Sequence, residues 1–570
     1  MAKYITNFDT LVDYYNNVVL VDNPNVSLIE DDLDVIFETI GDVIIYFADA
    51  KLTETTATEA DGLHTNAFNT TIKSHTFEDG MGIITFDKDV TNIGSFAFKG
   101  APITTIKLPF KVKNIDEQAF VGCTNLTSIK IPYRVKSIGY RAFRDCSNLA
   151  EVIPSDYTST VTNGAFANTP WLNNQPNGLV YVGNVAYQYK GTMPQGTSIT
   201  LKEGTKGITV GAFNGCTGMT SISIPNTVIN IGYGAFQTCK SLTSVVIPNK
   251  VEKIGEYTFS SCVSLSSVTI PDSVTSIGLR AFQNCSGLTS VVIPNSVQYL
   301  GARAFGQCEN LSSATIGNNV ANIYERTFYN CTSLTSITIP SSVSEIGEGA
   351  FYNCSSLSSL TIEDGVETIS SRAFQYCSGL TSVTILDSVQ YIGELAFNRC
   401  SSLTSVTIGS GTTIIDKMAF QTCNGLTTLT LNEGLEKIGY GAFSYSPSLS
   451  SVTIPNSVKE ISEDAFSGAN EDVVIFCNPN SYAQSYAEKN NIKYTTLVLD
   501  SIPNQTYTSK PIEPEVNAKA NNQKLTLNEE YTLDFSDNIN VGRAKVVAKG
   551  LGDFRHLVAT AHFEILSKPV

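Results

Sequence analysis

The sequence predicts a mainly β fold: a solenoid of 23-residue coils with a hairpin insertion, followed by a small separate β-sandwich. Two observations predict the solenoid. Twelve phenylalanines follow one another at intervals of 23 residues, and apolar residues between them recur at the same places in each unit. The phenylalanines, called anchors below, are Phe213, Phe236, Phe259, Phe282, Phe305, Phe328, Phe351, Phe374, Phe397, Phe420, Phe443 and Phe466.

The series extends upstream with Phe98, Phe120, Phe143 and Phe166, and one of its steps is 22 residues long. The gap from Phe166 to Phe213 is 47 residues, one more than two periods. Counting that long unit as two, we expect about 17 stacked coils.

One unit, Ser241–Cys262, shows why each coil folds as it does. A short apolar run ends at Pro248, which lacks a backbone donor, so we expect a short strand before it. A second short run ends at Gly255, and a tight turn follows. The apolar sites of this unit are Leu242, Val245, Ile247, Val251, Ile254, Phe259 and Cys262.

This unit resembles the BspA-type leucine-rich repeat, and the resemblance runs from about Gly82 to Ala469. Thr169–Gly178 followed by Leu179–Gly191 resembles the hairpin insertion that such arrays often carry, and Ser481–Asn490 resembles their closing helix. The resemblance implies a leucine-rich-repeat solenoid over residues 81–497. It also implies a role in recognition, since family members are mostly cell-surface adhesion proteins.

Composition restricts the partners. The net charge is −16 and the pI is about 4.8, which argues against nucleic acid or an anionic membrane as a general partner. No run of 18 apolar residues occurs, so we expect no membrane insertion.

The cysteine pattern predicts a ladder of free thiols inside the coils. Interchange with Thr169, Ser446 and Ala469 indicates that the site needs a small, buried side chain. Disulfides between neighbouring coils are an alternative, because adjacent coils approach disulfide distance; metal binding is disfavoured, because no CxxC motif or nearby His occurs. Twelve cysteines follow an anchor by three residues: Cys123, Cys146, Cys216, Cys239, Cys262, Cys285, Cys308, Cys331, Cys354, Cys377, Cys400 and Cys423.

Residues 1–80 are predicted to be an attachment segment and cap, with residues 52–80 as a loop or irregular cap. The stretch Asp22–Glu30 resembles a "PNVSxIE" segment near the start of virion proteins of tailed phages of gut Bacteroidales, including crAss-like phages. An ordinary N-terminal strand and cap is the alternative. Asp9, Asp13 and Asn16 interrupt any apolar run of the kind a secretory signal shows, which favours a virion setting.

Residues 498–570 resemble a bacterial Ig-like module, which implies a spacer or adhesion unit. The residues that carry this resemblance are Tyr507, Pro514, Tyr531, Asn538, Gly542, Gly550, Gly552 and Phe554. Alternating Ala544, Val546 and Ala548 predict a half-buried strand.

No catalytic set can be proposed. All four histidines lie outside the array, and no Ser-His-Asp or Cys-His spacing occurs. We therefore expect no enzymatic activity and no cofactor. Tyr181, Tyr187 and Tyr189 alternate in the hairpin, which favours packing roles over a platform for sugars.

One surface pattern indicates binding. Arginine precedes the anchor by two residues in several coils, three of them successive, and tyrosines lie near the same turn. Such an edge suits a carboxylate- or sulfate-bearing glycan, or a partner protein. The alternative is a solvated edge with Glu325, Glu348 and Glu394 as counter-ions. The candidate binding residues are Arg280, Arg303, Arg326, Arg372, Tyr324, Tyr329 and Tyr352.

These features predict a non-enzymatic recognition protein, most simply a component of a phage virion surface such as a fibre, decoration or tail protein. Its partners would be other virion proteins through the N-terminal segment, and a bacterial surface protein or glycan. Homo-oligomerisation is possible. A bacterial cell-surface adhesin is the first alternative, and a glycan-active enzyme is the second.

Overall fold

The structure, a computed structural model, describes residues 42–56, 60–520 and 523–567. It is mainly β and forms a β-solenoid of about 18 turns with 23-residue repeats, which confirms the predicted fold class. The Asp22–Glu30 stretch lies outside the described residues. The chain divides into two compact units: residues up to Leu242 with Val246–Phe259, and Thr243–Val245 with the residues from Ser260 onward.

The first unit contains an N-terminal region that is not part of the regular coils, followed by regular coils. Its elements are β1 (Val43–Ala48), β2 (Glu54–Thr55), β3 (Leu63–His64), β4 (Ile72–Glu78), β5 (Met81–Phe86), β6 (Asn92–Ile93), β7 (Ile103–Lys107), β8 (Asn114–Ile115), β9 (Ser128–Lys130), β10 (Ser137–Ile138), β11 (Glu151–Ile153), β12 (Thr160–Val161), α1 (Pro170–Asn173), β13 (Gly178–Val182), β14 (Val185–Lys190), β15 (Thr197–Thr200), β16 (Gly207–Ile208), β17 (Met219–Ser223), β18 (Asn230–Ile231) and β20 (Lys253–Ile254), whereas Ser244 and Val245 of β19 (Ser244–Val246) belong to the second unit.

The N-terminal region is a four-stranded antiparallel sheet in the order β4-β5-β1-β7. Ile44 and Tyr46 of β1 are fully buried against the first coils. The predicted loop over residues 52–80 was therefore wrong where β4 forms, because strand pairing with the apolar β5 outweighs the polar composition of β4. The predicted domain boundary after residue 80 falls in the turn between these two paired strands.

The predicted hairpin is present. Strands β13 and β14 are antiparallel, and β14 then pairs in parallel with β16 of the next coil. Tyr187 is buried, and its hydroxyl accepts a hydrogen bond from the backbone N–H of Phe166. The packing role expected for this tyrosine is confirmed.

The second unit contains further coils, a helix and the C-terminal sheets. Its elements are β21 (Ser267–Thr269), β22 (Ser276–Ile277), β23 (Ser290–Val292), β24 (Tyr299–Leu300), β25 (Ser313–Thr315), β26 (Asn322–Ile323), β27 (Ser336–Ile339), β28 (Glu345–Ile346), β29 (Ser359–Ile362), β30 (Thr368–Ile369), β31 (Ser382–Ile385), β32 (Tyr391–Ile392), β33 (Ser405–Ile408), β34 (Ile414–Ile415), β35 (Thr428–Leu431), β36 (Lys437–Ile438), β37 (Ser451–Thr453), β38 (Glu460–Ile461), β39 (Val474–Phe476), α2 (Tyr482–Lys489), β40 (Lys493–Thr495), β41 (Val498–Leu499), β42 (Gln505–Thr506), β43 (Ala518–Ala520), β44 (Gln523–Lys524), β45 (Tyr531–Ser536), β46 (Gly542–Gly550), a 3-10 turn (Gly552–Phe554) and β47 (Val558–Leu566).

Most coils contribute one longer and one two-residue strand, and within each sheet of coils a strand pairs in parallel with its equivalent in the next coil, usually 23 residues away. In the second unit the short strands form one seven-stranded sheet from β26 to β38. Strands β31 to β39, with β40 added at the end, form a six-stranded sheet. The 23-residue period of the sequence therefore equals the offset between paired residues of neighbouring coils. Ile346, for example, pairs with Ile369.

The anchors fill the interior of the coils. Neighbouring anchor rings within each unit are stacked, for example Phe305 on Phe328 with centroids 5.6 Å apart and Phe374 on Phe397 at 5.1 Å. Burying one such side chain contributes about 1.5–3 kcal/mol. Because an anchor stacks on the next coil as well as packing inside its own, the 23-residue interval has little freedom to vary.

The last coil is closed by α2, as expected. Ser481 caps this helix, and its hydroxyl accepts a hydrogen bond from the backbone N–H of Gln484. Tyr486 and Ala487 are buried, and the Tyr486 ring lies against the last anchor, Phe466. The helix therefore covers apolar surface that a further coil would otherwise bury.

The C-terminal region consists of two small sheets, β41-β43-β44 and β42-β47-β46-β45. Ala544, Val546 and Ala548 are fully buried on one side of β46, which confirms the predicted half-buried strand. The hydroxyl of buried Tyr531 donates to the carbonyl of Val516 at 2.8 Å. The Ig-like sandwich stays a prediction, because these two sheets do not establish that topology.

Contacts within the second unit join this region to the end of the coils. The rings of Phe476 and Phe554 meet edge to face at 5.2 Å. The Asn478 side chain donates to the carbonyl of His556 and accepts from the N–H of Val558, both at 2.8 Å. One amide side chain thus satisfies two backbone groups of the C-terminal region.

Candidate functional site

The candidate site lies on the turn that carries the anchor in each coil. The residue two before the anchor has a left-handed backbone there, with φ of +54° at Arg280, +57° at Arg303, +53° at Arg326 and +58° at Arg372. Its N–H donates to a carbonyl of the following coil, as from Arg326 to Glu348 at 2.9 Å. The turns therefore form a hydrogen-bonded row of their own, called the turn row below.

Residues of many kinds adopt this left-handed position. Only glycine does so without steric cost; other residues lose about 1–2 kcal/mol each. The equivalent residues with positive φ are Phe96, Gln118, Arg141, Gly164, Gly211, Gly234, Tyr257, Arg280, Arg303, Arg326, Gly349, Arg372, Leu395, Met418 and Gly441.

The arginines of the turn row are interleaved with carboxylates. Nη2 of Arg303 lies 2.7 Å from Oε1 of Glu325, and Nε of Arg326 lies 3.7 Å from the same oxygen. Nη1 of Arg372 lies 3.9 Å from Glu348. The counter-ion roles expected for Glu325 and Glu348 are present, and these carboxylates offset the like-charge repulsion expected along the row.

A notch interrupts the turn row at Gly349. The coil between those of Arg326 and Arg372 has this glycine, and therefore no side chain, at the turn-row position. We call this cavity of about 440 Å³ the Gly349 notch. Its walls include Arg326, Arg372, Tyr329, Tyr352, Tyr376 and Glu348. Four of the seven candidate residues, Arg326, Arg372, Tyr329 and Tyr352, are therefore brought to one place.

Two tyrosines of the notch point towards opposite neighbours. The Tyr329 ring lies where a Cβ on Gly306 of the preceding coil would be, and its hydroxyl accepts from Nε2 of Gln283. Tyr352 instead meets the ring of Tyr376 in the following coil, edge to face at 5.4 Å. The divergence of Tyr329 and Tyr352 leaves space beside Gly349.

Three candidate residues lie elsewhere. Arg280 and Arg303 belong to earlier coils of the turn row and do not line the notch. Tyr324 is exposed and packs against Tyr299, with ring centroids 5.3 Å apart.

Sequence reasoning missed Gly349 and Tyr376 as parts of the site, and it expected Glu348 only as a counter-ion. A signal was available for the glycine, because Gly349 stands two residues before Phe351 in the very series that holds the arginines. Tyr376 carries no such signal, since it stands two residues after an anchor and so lies outside the series that holds the arginines.

A second cavity, of about 430 Å³, lies in the first unit and was also missed. Its exposed aromatic residues are Tyr133 and Tyr157, whose ring centroids are 5.8 Å apart. The guanidinium of Arg134 lies over the ring of Phe110 at the same place. This surface offers apolar contact beside positive charge.

The repeated thiols are buried inside the coils, as predicted, and no disulfide joins any of the thirteen cysteines, all of which lie in the part of the chain that the structure describes. Sγ of Cys308, for example, donates to the carbonyl of Phe282 at 3.3 Å. Burial raises the pKa of Cys308 and Cys377 to about 12. These thiols stay protonated at neutral pH, so they are poor nucleophiles.

Within residues 42–56, 60–520 and 523–567, no three His, Cys, Asp or Glu side chains converge in a way that could hold a metal ion. In the same part of the chain, no helix has the length and apolar character needed to cross a membrane.

Comparisons with known proteins agree with this architecture. A family profile described as "BspA type Leucine rich repeat region (6 copies)" matches residues 70–194, 181–309, 275–404 and 367–495. No curated protein matches the chain.

Solved structures of leucine-rich repeat proteins are also similar. One from Bacteroides ovatus is 25% identical over 76% of this chain and 99% of that one, with a TM-score of 0.41. A leucine-rich cell surface protein from Faecalibacterium prausnitzii is 24% identical over 72% of this chain and 89% of that one, with a TM-score of 0.26. A leucine-rich repeat protein from T. pallidum is 29% identical over 32% of this chain and 87% of that one, with a TM-score of 0.29.

Proposed function

The chain belongs to the BspA-type leucine-rich repeat family, and we propose that it is a non-enzymatic recognition and adhesion protein that acts at a surface. Proteins of this family are typically found at the cell surface. The observation that carries the proposal is the turn row, which repeats one left-handed backbone position from coil to coil, varies its side chain and leaves the arginines there half-buried or exposed. A regular solenoid whose turn-row side chains differ from coil to coil is suited to binding a partner.

The partner in this proposal is a bacterial surface protein or glycan. The turn row and its notch supply guanidinium groups and tyrosine rings, which recognise anionic and hydroxyl-rich ligands. Arg280, Arg303 and Arg326 would each contribute modestly, and the row would act by multivalency.

The experiment is direct binding of the purified, fluorescently labelled chain to bacterial cells, measured by flow cytometry at low and moderate salt. We expect saturable binding that weakens as salt rises, because the guanidinium contacts are partly exposed. A variant with Arg280, Arg303 and Arg326 all changed to serine should bind less while its thermal unfolding stays cooperative. Absence of saturable binding by the parent chain to every bacterial strain tested would contradict the proposal.

For the finer setting, we propose the surface of a phage particle, with other virion proteins as partners of the N-terminal segment. The resemblance of Asp22–Glu30 to phage virion proteins supports this setting. A bacterial cell surface is the alternative. Mass spectrometry of purified virions and of washed bacterial cells from the same sample separates the two, since the peptides should be enriched in one fraction only.

A further inference from the structure

The Gly349 notch is built by a single missing side chain. Arg326, Gly349 and Arg372 share one backbone conformation, with φ of +53°, +57° and +58°. The row of hydrogen bonds continues through the notch, since the N–H of Gly349 donates to the carbonyl of Ser371 at 2.9 Å. A side chain at residue 349 would extend from a point 3.4 Å from Cγ of Arg326 and would occupy the notch.

The two guanidinium groups beside the notch are only loosely paired. Their ion pairs measure 3.7 Å for Arg326 and 3.9 Å for Arg372, whereas charge-assisted hydrogen bonds between nitrogen and oxygen measure about 2.7–2.9 Å. Glu325 is already held by Arg303 at 2.7 Å. Arg326 and Arg372 therefore retain donors that an incoming carboxylate can accept from, in the paired geometry that guanidinium groups favour.

The rest of the notch suits a sugar ring. Tyr352 and Tyr376 form a wall with both apolar ring surface and polar hydroxyls, which matches the mixed character of a pyranose. The volume of about 440 Å³ lies within the range of small-molecule sites. Two guanidinium groups (Arg326, Arg372) and one carboxylate (Glu348) line the notch, so positive charge exceeds negative there on a chain whose net charge is −16.

We propose that the Gly349 notch binds one carboxylate-bearing sugar residue of a bacterial surface polysaccharide. Arg326 and Arg372 hold the carboxylate, the tyrosine pair contacts the ring, and Gly349 provides the space. This inference rests on the proposed recognition function and names the ligand class of its site.

The test uses the full chain on an array of immobilised oligosaccharides that carry carboxylates, sulfates or no charge. The parent should bind the carboxylated set, and its binding to carboxyl-reduced versions of the same oligosaccharides should be lost. Gly349→Arg fills the notch and should weaken binding about tenfold or more, the scale expected for losing charged hydrogen bonds. Neighbouring coils already hold arginine at this φ, so the backbone accommodates the change.

Gly164→Arg is the matched control. Gly164 occupies the same place in the turn row, with φ of +70°, and its Cβ would lie 3.7 Å from Cγ of Arg141, much as at residue 349. This variant adds the same charge beside an arginine away from the notch, so it should bind like the parent. The double change Arg326→Ser with Arg372→Ser removes the carboxylate donors without altering Gly349 and should also lose binding.

The outcomes separate this inference from the broader function. If the parent and Gly349→Arg bound equally to both array and cells, the Gly349 notch would not be the binding site, while the proposed surface recognition would stand. Equal binding of sulfated and carboxylated sugars would overturn the assignment of the ligand class. Cell binding without binding to any anionic sugar would also overturn the inference, and loss of all cell binding by the parent would remove the function on which it rests.

Discussion

Gly349 and Arg326 occupy equivalent places in neighbouring coils with nearly the same left-handed backbone, φ +57° and +53°, and an ideal Cβ on Gly349 lies 3.4 Å from Cγ of Arg326. The conformation is therefore imposed by the coil and does not depend on glycine. Where arginine stands in the turn row, it does so despite a steric cost of about 1–2 kcal/mol. This cost gives the first prediction.

Arg326→Gly should leave the free energy of unfolding unchanged or raise it slightly, because relief of backbone strain offsets the loss of a loose surface ion pair. Arg326→Val should be less stable than Arg326→Gly by about 1–2 kcal/mol, since a β-branched side chain tolerates positive φ poorly. Urea titration monitored by circular dichroism measures both. If valine and glycine were equally stable, the left-handed backbone would not be a constraint at this residue.

Phe305→Ala should lower local stability by about 3–5 kcal/mol, because the ring stacks on Phe282 at 5.2 Å and on Phe328 at 5.6 Å. Since each coil contacts mainly its neighbours, amide hydrogen exchange should accelerate first around residues 282–328. Tyr324→Ala is the surface control and should change exchange little. Uniform loss of protection along the chain would contradict the picture of coils that open locally.

The twelve repeated thiols should react slowly with a thiol reagent in the native protein and completely after denaturation without reductant. Burial raises the pKa of Cys308 and Cys423 to about 12, so little thiolate exists at pH 7.5, and the reagent cannot reach it. Mass spectrometry counts the labels. A large deficit of labels in the denatured, unreduced protein would show disulfides instead.

The contact between the C-terminal region and the coils should weaken in acid. Burial lowers the pKa of His556 below its ordinary 6.5, although Glu433 at 3.8 Å acts in the opposite direction. Below pH 6.5 the released imidazole therefore binds more protons than the docked one, so docking stability falls as the pH drops.

Hydrogen exchange of residues 554–558 at pH 7.5 and 5.5 measures this effect. His556→Asn is the control, because asparagine tolerates the φ of +72° at this position and does not titrate. An identical pH response in His556→Asn would assign the effect to other groups.

Attachment is tested by two N-terminal deletions, one that ends before the N-terminal sheet and one that ends within it. A chain lacking residues 1–41 keeps β1, which begins at Val43, and should fail to join virions while retaining its sheets. A chain lacking residues 1–80 also loses β1 and β4, so β5 and β7 lose their partners and the first coils should unfold more easily. Mass spectrometry of assembled particles gives the readout. Normal incorporation of the shorter deletion would reverse the proposed polarity.

Most of the array could be predicted from the sequence because contacts in a solenoid are periodic. The residue that Phe305 stacks on is found by adding 23, and the same step gives the strand register at Ile346 and Ile369. The closing helix and the hairpin could be predicted for a different reason, since Ser481 and the alternating Tyr187 carry local signals of a cap and a strand.

The sequence by itself therefore determined the coil, the buried Phe and Cys positions and the candidate arginine series, because each follows from a repeat and from local patterning. Only the tertiary structure decided that Tyr329 and Tyr352 diverge beside Gly349, that Glu325 serves two arginines, and that β4 joins a sheet. These depend on how side chains and strands from different coils pack against one another. Repetition brings such groups together, but their orientation is set by the particular residues that interrupt the repeat.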